Sequence, residues 1–433
     1  MNEIDAALLW AIEGKDHRMT PLPVKQPMLV ALAKGANPNC IAMGKTALIR
    51  AISSHDSLSA ITVLAEAGAN LNLRGADGLA PLHACCVDQA DKSTEAALLL
   101  SLGADAGQWT ARISSDGDEG PTVTGSGTPL HFGAENRKPN IVALLCGRSE
   151  VDARDAEWNT PLMLAAKSGN ARSVRALLGA GASVAAVNME KETPLHFAMH
   201  LCDPEMASII LAAGGDIHAR DHFGRTPFLA GAYTWTDSLK LLIDAGSDIN
   251  AVGADGNTAL HRGCKSTILR LVSELLERGA EPSVPNSDLE TPLHFTARQS
   301  WCAGRPLAEL LLSAGAEVSA LDSKGRSPAD LALELENKAM ANFLLRAGSW
   351  SPMTAQRTLM RAIIRGDLPL ARKALAGGAD AAFEPDEDDV HDAPLTEAMR
   401  QGNPEMVALL RAAISEREQT EAPVDNQSGM ARA

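Results

Sequence analysis

Eleven histidines and seven cysteines are the side chains of this chain that could hold a metal ion or serve as nucleophile and base. Five of the histidines, His83, His131, His196, His261 and His294, occupy one place in a recurring phrase of the type T-P-L-H. A histidine three residues after a Thr-Pro helix start can reach back to the exposed N–H groups of the first turn, which accounts for it without a metal. The cysteines (Cys40, Cys85, Cys86, Cys146, Cys202, Cys264, Cys302) are scattered and never form C-x-x-C, a usage that reads as free thiols in a reducing, cytoplasmic compartment. Asp116-Gly117-Asp118-Glu119-Gly120 has the acidic-glycine character of a calcium loop. It lacks the remaining ligands and has Gly127 where a bidentate Glu belongs, so a turn is expected. No G-x-S-x-G, phosphate-cradling glycine loop or H-E-x-x-H is present. The expectation is a non-catalytic chain without metal or cofactor.

The elements that position these residues follow from a repeat. The T-P-L-H phrase or a near copy starts at Thr46, Ala80, Thr128, Thr160, Thr193, Thr226, Thr258, Thr291, Ser327 and Ala393. Most steps are 32 to 36 residues; one is 48, and the last, 66, spans two periods with a degenerate copy at Arg357-Thr358-Leu359. A second phrase, Leu-Leu-x-x-Gly-Ala, keeps the same period and supplies Gly35, Gly68, Gly103, Gly181, Gly214, Gly246, Gly279, Gly315, Gly348 and Gly378. Thr is a good N-cap and Pro fits the first helical position, so T-P starts a helix. The glycine suits a left-handed residue just past the end of a second, amphipathic helix, and Asp-Gly or Lys-Gly turns lead to the next Thr.

These phrases and the period of about 33 residues resemble the ankyrin repeat. The resemblance covers roughly residues 4–412, as about twelve repeats with degenerate ends. It implies an all-α repeat solenoid of helix-turn-helix pairs with β-hairpin fingers, occupying residues 1–412, followed by a disordered polar tail at 413–433. It also implies a protein-binding module that contacts partners through its fingers, its concave groove, or both.

Composition agrees with a stack of thin units: 45% of residues are hydrophobic but only 3% aromatic. Net charge is −15, which disfavours nucleic acid and favours a basic protein partner. The segment Met1 to Asp16 lacks a basic stretch and an apolar core and does not read as a signal peptide. No apolar run approaches the ~18 residues of a membrane span. A monomer that masks or scaffolds another protein is expected. An immunity protein or host-directed effector is the alternative, and an enzyme or enzyme-regulating subunit the reading from another class.

Departures from the period mark added surface. From the helix-ending Gly to the next cap the distance is usually 12, but it is 25 from Gly103 to Thr128 and 15 from Gly378 to Ala393. The first excess makes a finger insertion at about 105–127 that contains Trp109 and Arg112, either an extended hairpin or a loop whose Trp folds back. The second contains the acidic run Glu384 to Asp389. A further surplus lies around Ser300 to Arg305 and places Trp301 in an inserted turn. The candidate partner-binding residues are Trp109, Arg112, Trp158, Lys167, Tyr233, Trp235, Arg262, Lys265, Arg298 and Trp301.

Overall fold

The computed structural model describes residues 2–13, 25–110, 127–348, 352–383 and 393–421. Arg112, most of the finger insertion, the acidic run Glu384 to Asp389 and the last twelve residues lie outside the described residues. Helices follow one another in pairs, from Glu3–Glu13 with Lys25–Ala33 to Pro394–Arg400 with Pro404–Glu421. The fold is an all-α repeat solenoid. Its contacts divide into two compact units, Met1–Gly231 with Thr236–Asp248, and Ala232–Trp235 with Ile249–Ala433.

In the first unit the inner helices Pro81–Val87, Pro129–Glu135, Pro161–Ser168 and Pro194–Leu201 all begin with proline after an extended cap residue. At Thr128 the backbone N–H donates to His131 Nδ1 at 3.2 Å, and His131 Nε2 lies 3.0 Å from the carbonyl of Ala153 in the following connection. His83 joins the N–H of Ala80 to the carbonyl of Gly127 in the same way, and His196 joins Thr193 to Arg225. The second unit repeats the arrangement: His261 links Thr258 to Glu290, and His294 links Thr291 to Arg326. An imidazole that accepts at Nδ1 and donates at Nε2 is neutral, and each ring ties its own cap to the next repeat. Where Met163 holds the position, its sulfur still accepts from Thr160 N at 3.4 Å but reaches no further; at Leu229 the bond left is the Thr226 hydroxyl accepting from Leu229 N. Asp330 serves instead of histidine after Ser327, accepting from its N–H and hydroxyl, both at 2.8 Å.

The ten period-marking glycines all have φ between 84° and 104°, as a left-handed helix terminus requires. The residue after nine of them bonds back into the helix, as Ala104 N does to Leu99 O and Ala280 N to Leu275 O. Small residues behind the caps, Ala165 and Ala166 in one unit and Cys264 in the other, are fully buried. The fingers contain little strand. Among the described residues the only two-stranded pair joins Ile41–Ala42 to Lys45–Thr46. Elsewhere an Asx side chain takes the N–H groups that a strand partner would take: Asp221 Oδ1 accepts from Phe223 and Arg225, and Asp322 Oδ1 from Lys324 and Arg326. Single backbone bonds connect successive tips, including Met189 N to Glu157 O and His222 N to Glu190 O.

Two expectations change. The surplus at Ser300 to Arg305 lengthens the outer helix rather than the turn: that helix runs Trp301–Ser313 and packs Gly304 closely, where an added Cβ would lie 2.6 Å from the Thr296 carbonyl oxygen. The segment after residue 413 is helical as far as Glu421, because Ala413 and Ile414 pack against the cluster of Leu359, Ile363 and Leu410.

Burial lowers the pKa of all five bridging histidines, taking His83 and His261 from 6.5 to about 4. The unfolded chain therefore takes up protons first as pH falls. Stability is complete above about 6.5 and is lost progressively toward pH 4, by on the order of 3 kcal/mol for each of the two most shifted rings. Urea denaturation at a series of pH values is expected to show this loss. His261→Gln, which keeps a donor and an acceptor but has no proton to gain, should flatten the slope; an unchanged slope would remove the histidine bridge as its cause.

Candidate partner-binding face

Of the described candidates, Trp109 and Trp158 fall on connections, Lys167, Arg262, Lys265 and Arg298 on or at the end of inner helices, and Tyr233, Trp235 and Trp301 between an inner helix and its outer partner or at the start of that partner. In the first unit Trp109 is 39% exposed, with its carbonyl accepting from Arg74 Nη2 at 2.6 Å and its ring 5.7 Å from the His131 ring. Trp109 thus leans on the stack while keeping one side in solvent. Trp158 is 49% exposed at the tip of the turn Asp155–Asn159, with the Arg154 guanidinium over its ring. Its φ is 65°, in the left-handed region that equivalent tips fill with Gly78, Gly224, Gly256 and Gly325, and also with Lys191 and Leu289. The sequence marks this position by an aromatic where glycine is commonest. Met189 and Phe223, exposed on the next two tips, were missed because a lone apolar residue in a polar turn carries no spacing signal.

Along the inner helices one relation organises the charges. In three repeats the last residue of the connection and the residue eight positions later face each other. Glu192 accepts from His200 at 2.9 Å, Glu290 from Arg298 Nη1 at 2.9 Å, and Arg326 Nη1 donates to Glu334 at 2.5 Å. Arg298 also lies over the Phe295 ring, so it is an internally neutralised side chain rather than a docking cation. At Lys167 and Lys265 the residue eight earlier is Asn159 or Asn257, and neither amide turns toward the lysine. Asn159 bonds Asp155, Glu157 and Asn188, while Asn257 bonds Asp255 and Asn286. Both lysines are exposed and neither makes an ion pair or side-chain hydrogen bond among the described residues.

Arg262, one turn before Lys265, is half-buried, and its Nε is enclosed without an acceptor. Tyr233 is exposed, and Trp235 is half-buried beneath the Arg278 guanidinium. Trp301 is half-buried at the start of its helix, edge-on to Phe343 at 5.8 Å and covered by Arg305. Its packing gives Trp301 a structural role that the inserted-turn expectation did not include.

His196 and His200 stand four apart on one helix, a spacing that suits a metal. Both nitrogens of His196 are already engaged by Thr193 and Arg225, and His200 is engaged by Glu192. Among the described residues no group of three or more His, Cys, Asp or Glu side chains could hold a metal ion. Burial raises the thiols of Cys85, Cys86 and Cys264, that of Cys86 to about 12, which makes them poor nucleophiles. No helix among the described residues is long and apolar enough to cross a membrane.

A family model described as ankyrin repeats matches in three copies, over residues 114–188, 130–221 and 195–286. The chain contains ankyrin repeats. It is 32% identical over 174 residues to the B-cell lymphoma 3 protein homolog of Mus musculus, covering 38% of this chain and 39% of that one. It is 28% identical over 194 residues to the ankyrin repeat protein YahD of Escherichia coli (strain K12), covering 43% of this chain and 95% of YahD. With the E3 ubiquitin-protein ligase KEG of Arabidopsis thaliana it shares 27% identity over 293 residues, 56% of this chain and 18% of KEG. The chain spans less than half the length of several curated relatives it matches. Ankyrin repeats form protein–protein interaction modules, and that is the class of this chain.

A bulky residue in the left-handed region costs on the order of 1 kcal/mol that glycine would not. Trp158→Gly is therefore expected to leave the thermal midpoint unchanged or slightly higher despite the lost Arg154 contact. A scanning calorimetry trace showing a fall of many degrees would mean that Trp158 is kept for packing.

Proposed function

We propose that this ankyrin-repeat chain is a non-catalytic scaffold that holds or masks a partner protein against its connection tips and inner-helix face. The observation that carries this reading is Trp158: a half-exposed aromatic, stacked under Arg154, in left-handed backbone where four equivalent tips have glycine and two others have Lys191 and Leu289. Folding gains little from such a side chain, whereas exposed Trp with stacked Arg is a common anchor of protein interfaces. Phe223, 54% exposed with Arg225 over its ring, repeats the feature two tips later.

The non-catalytic reading is supported by what the reactive side chains already do. The five motif histidines spend both ring nitrogens on caps and carbonyls, and burial disables the inner cysteines. Seven unpaired cysteines support a reducing, cytoplasmic setting. The net charge of −15 supports a partner of basic overall charge drawn in at long range, as masking of a basic toxin by an immunity protein would require.

Affinity capture from the native organism with the full chain, followed by identification of the bound protein, tests the reading. Wild-type protein should retain one defined partner, and the double variant Trp158→Gly, Phe223→Ser should lose it while keeping its circular dichroism. Raising salt from ~0.05 to ~0.5 M should weaken the complex by an order of magnitude or more if charge steers it. Equal recovery of the same partner by the variant would rule out the tips as the binding face.

A further inference from the structure

We propose that the exposed face of the helix Ala259–Lys265 seats an acidic segment of the partner protein, with Arg262 and Lys265 as its two contacts; this rests on the protein-binding reading above. The argument is one of unmatched charge. In three other repeats the chain supplies its own counter-ion, Glu192 for His200, Glu290 for Arg298 and Glu334 for Arg326, whereas Lys167 shares the unmatched state of Lys265 but has no second cation like Arg262 one turn before it. At Lys265 the counter-ion position is Asn257, whose amide is bound into its own turn, and the ammonium is left without one.

Arg262 sharpens the site. It directly follows the motif histidine, where other repeats place Phe132, Phe197 and Phe295, so a guanidinium stands in a position that normally buries a ring. Two carboxylates on the connections flanking this helix, Asp255 and Glu290, have other hydrogen-bond partners. Asp255 accepts from Asn257 N at 3.0 Å and Asn257 Nδ2 at 2.6 Å, and the Arg262 charge helps lower its pKa without a hydrogen bond between the two. Glu290 is held by Arg298. Its Nε lacks an acceptor, and among the described residues the Arg262 guanidinium makes no ion pair. Residues three apart on a helix share a face, so Arg262 and Lys265 present two donors together. A carboxylate is the group that a planar guanidinium beside an ammonium takes best.

An overall acidic chain can still seat an acidic segment. At ~0.15 M salt the screening length is about 8 Å, so remote carboxylates count for little against two contacting cations. The probes are octaglutamate and octalysine peptides, titrated calorimetrically into the full chain at that salt concentration. Octaglutamate should bind, and Arg262→Gln and Lys265→Glu should each weaken it about tenfold or more. Lys34→Glu, the same charge change at another exposed lysine, should leave it unaltered. Lys265 is exposed, so its variant tests the site without disturbing the core. The proposal is overturned if octaglutamate fails to bind wild-type protein, if Lys265→Glu binds it normally, or if Lys34→Glu loses as much. A partner captured equally well by wild-type and Lys265→Glu protein would also overturn it and leave the scaffold reading intact; no partner captured by wild-type protein would remove that reading itself.

Discussion

The bond on which the rest of this fold depends is the two-ended one made by a buried imidazole. Nδ1 accepts from the N–H of a helix cap, and Nε2 donates to a carbonyl of the connection that leads to the next repeat. A helix of six to eight residues is marginal in isolation, because nucleation costs more than so few bonds return. Here most of the short inner helices begin with a proline that needs no N–H bond, and in five of them a histidine satisfies the cap. The same ring then fixes where the next unit starts. Stability accumulates by nearest-neighbour contact, as a stack requires. The ring must be neutral to act at both ends, so the bridge also makes the stack sensitive to acid.

Once caps and glycine termini have consumed the motif residues, variation is left to two places: the connection tips and the exposed side of the inner helices. The tips close on an Asx side chain instead of a strand ladder. That leaves the third turn residue in left-handed backbone, where glycine is the easy choice and Trp158 the costly one. On the helices, the pairing of each connection end with the residue eight later sorts the cations into neutralised and unmatched. Arg298 and His200 belong to the first group, Lys167 and Lys265 to the second. Salt bridges at such half-exposed sites contribute little to stability, so the sorting bears on recognition more than on folding.

Much of this was legible in the sequence because periodic residues act locally. A Thr-Pro start, a histidine three residues on and a terminal glycine act within one turn, and all ten glycines take the predicted left-handed conformation. Trp301 was misplaced because helix extension and turn extension insert the same number of residues. The difference lies in Gly304, whose missing side chain admits the Thr296 carbonyl, and in Phe343, far along the chain. Arg298 looked like a docking cation because its counter-ion is eight residues away across a helix start. That spacing could have been read from Glu192-to-His200 and Glu290-to-Arg298, had the repeats been aligned on charge rather than on apolar residues.

The net charge of −15 and the local cations act at different ranges. Beyond a screening length only the summed field is felt, and it favours approach by a basic body. Within contact distance the neighbours decide, and Asp255 and Glu290, on the connections flanking the helix Ala259–Lys265, are already bound by an amide and a guanidinium. A basic body drawn in by the summed field would still have to bring a carboxylate to the inner helix to satisfy Arg262 and Lys265. Composition alone therefore describes what approaches the stack, and the pairing along the inner helices describes what stays.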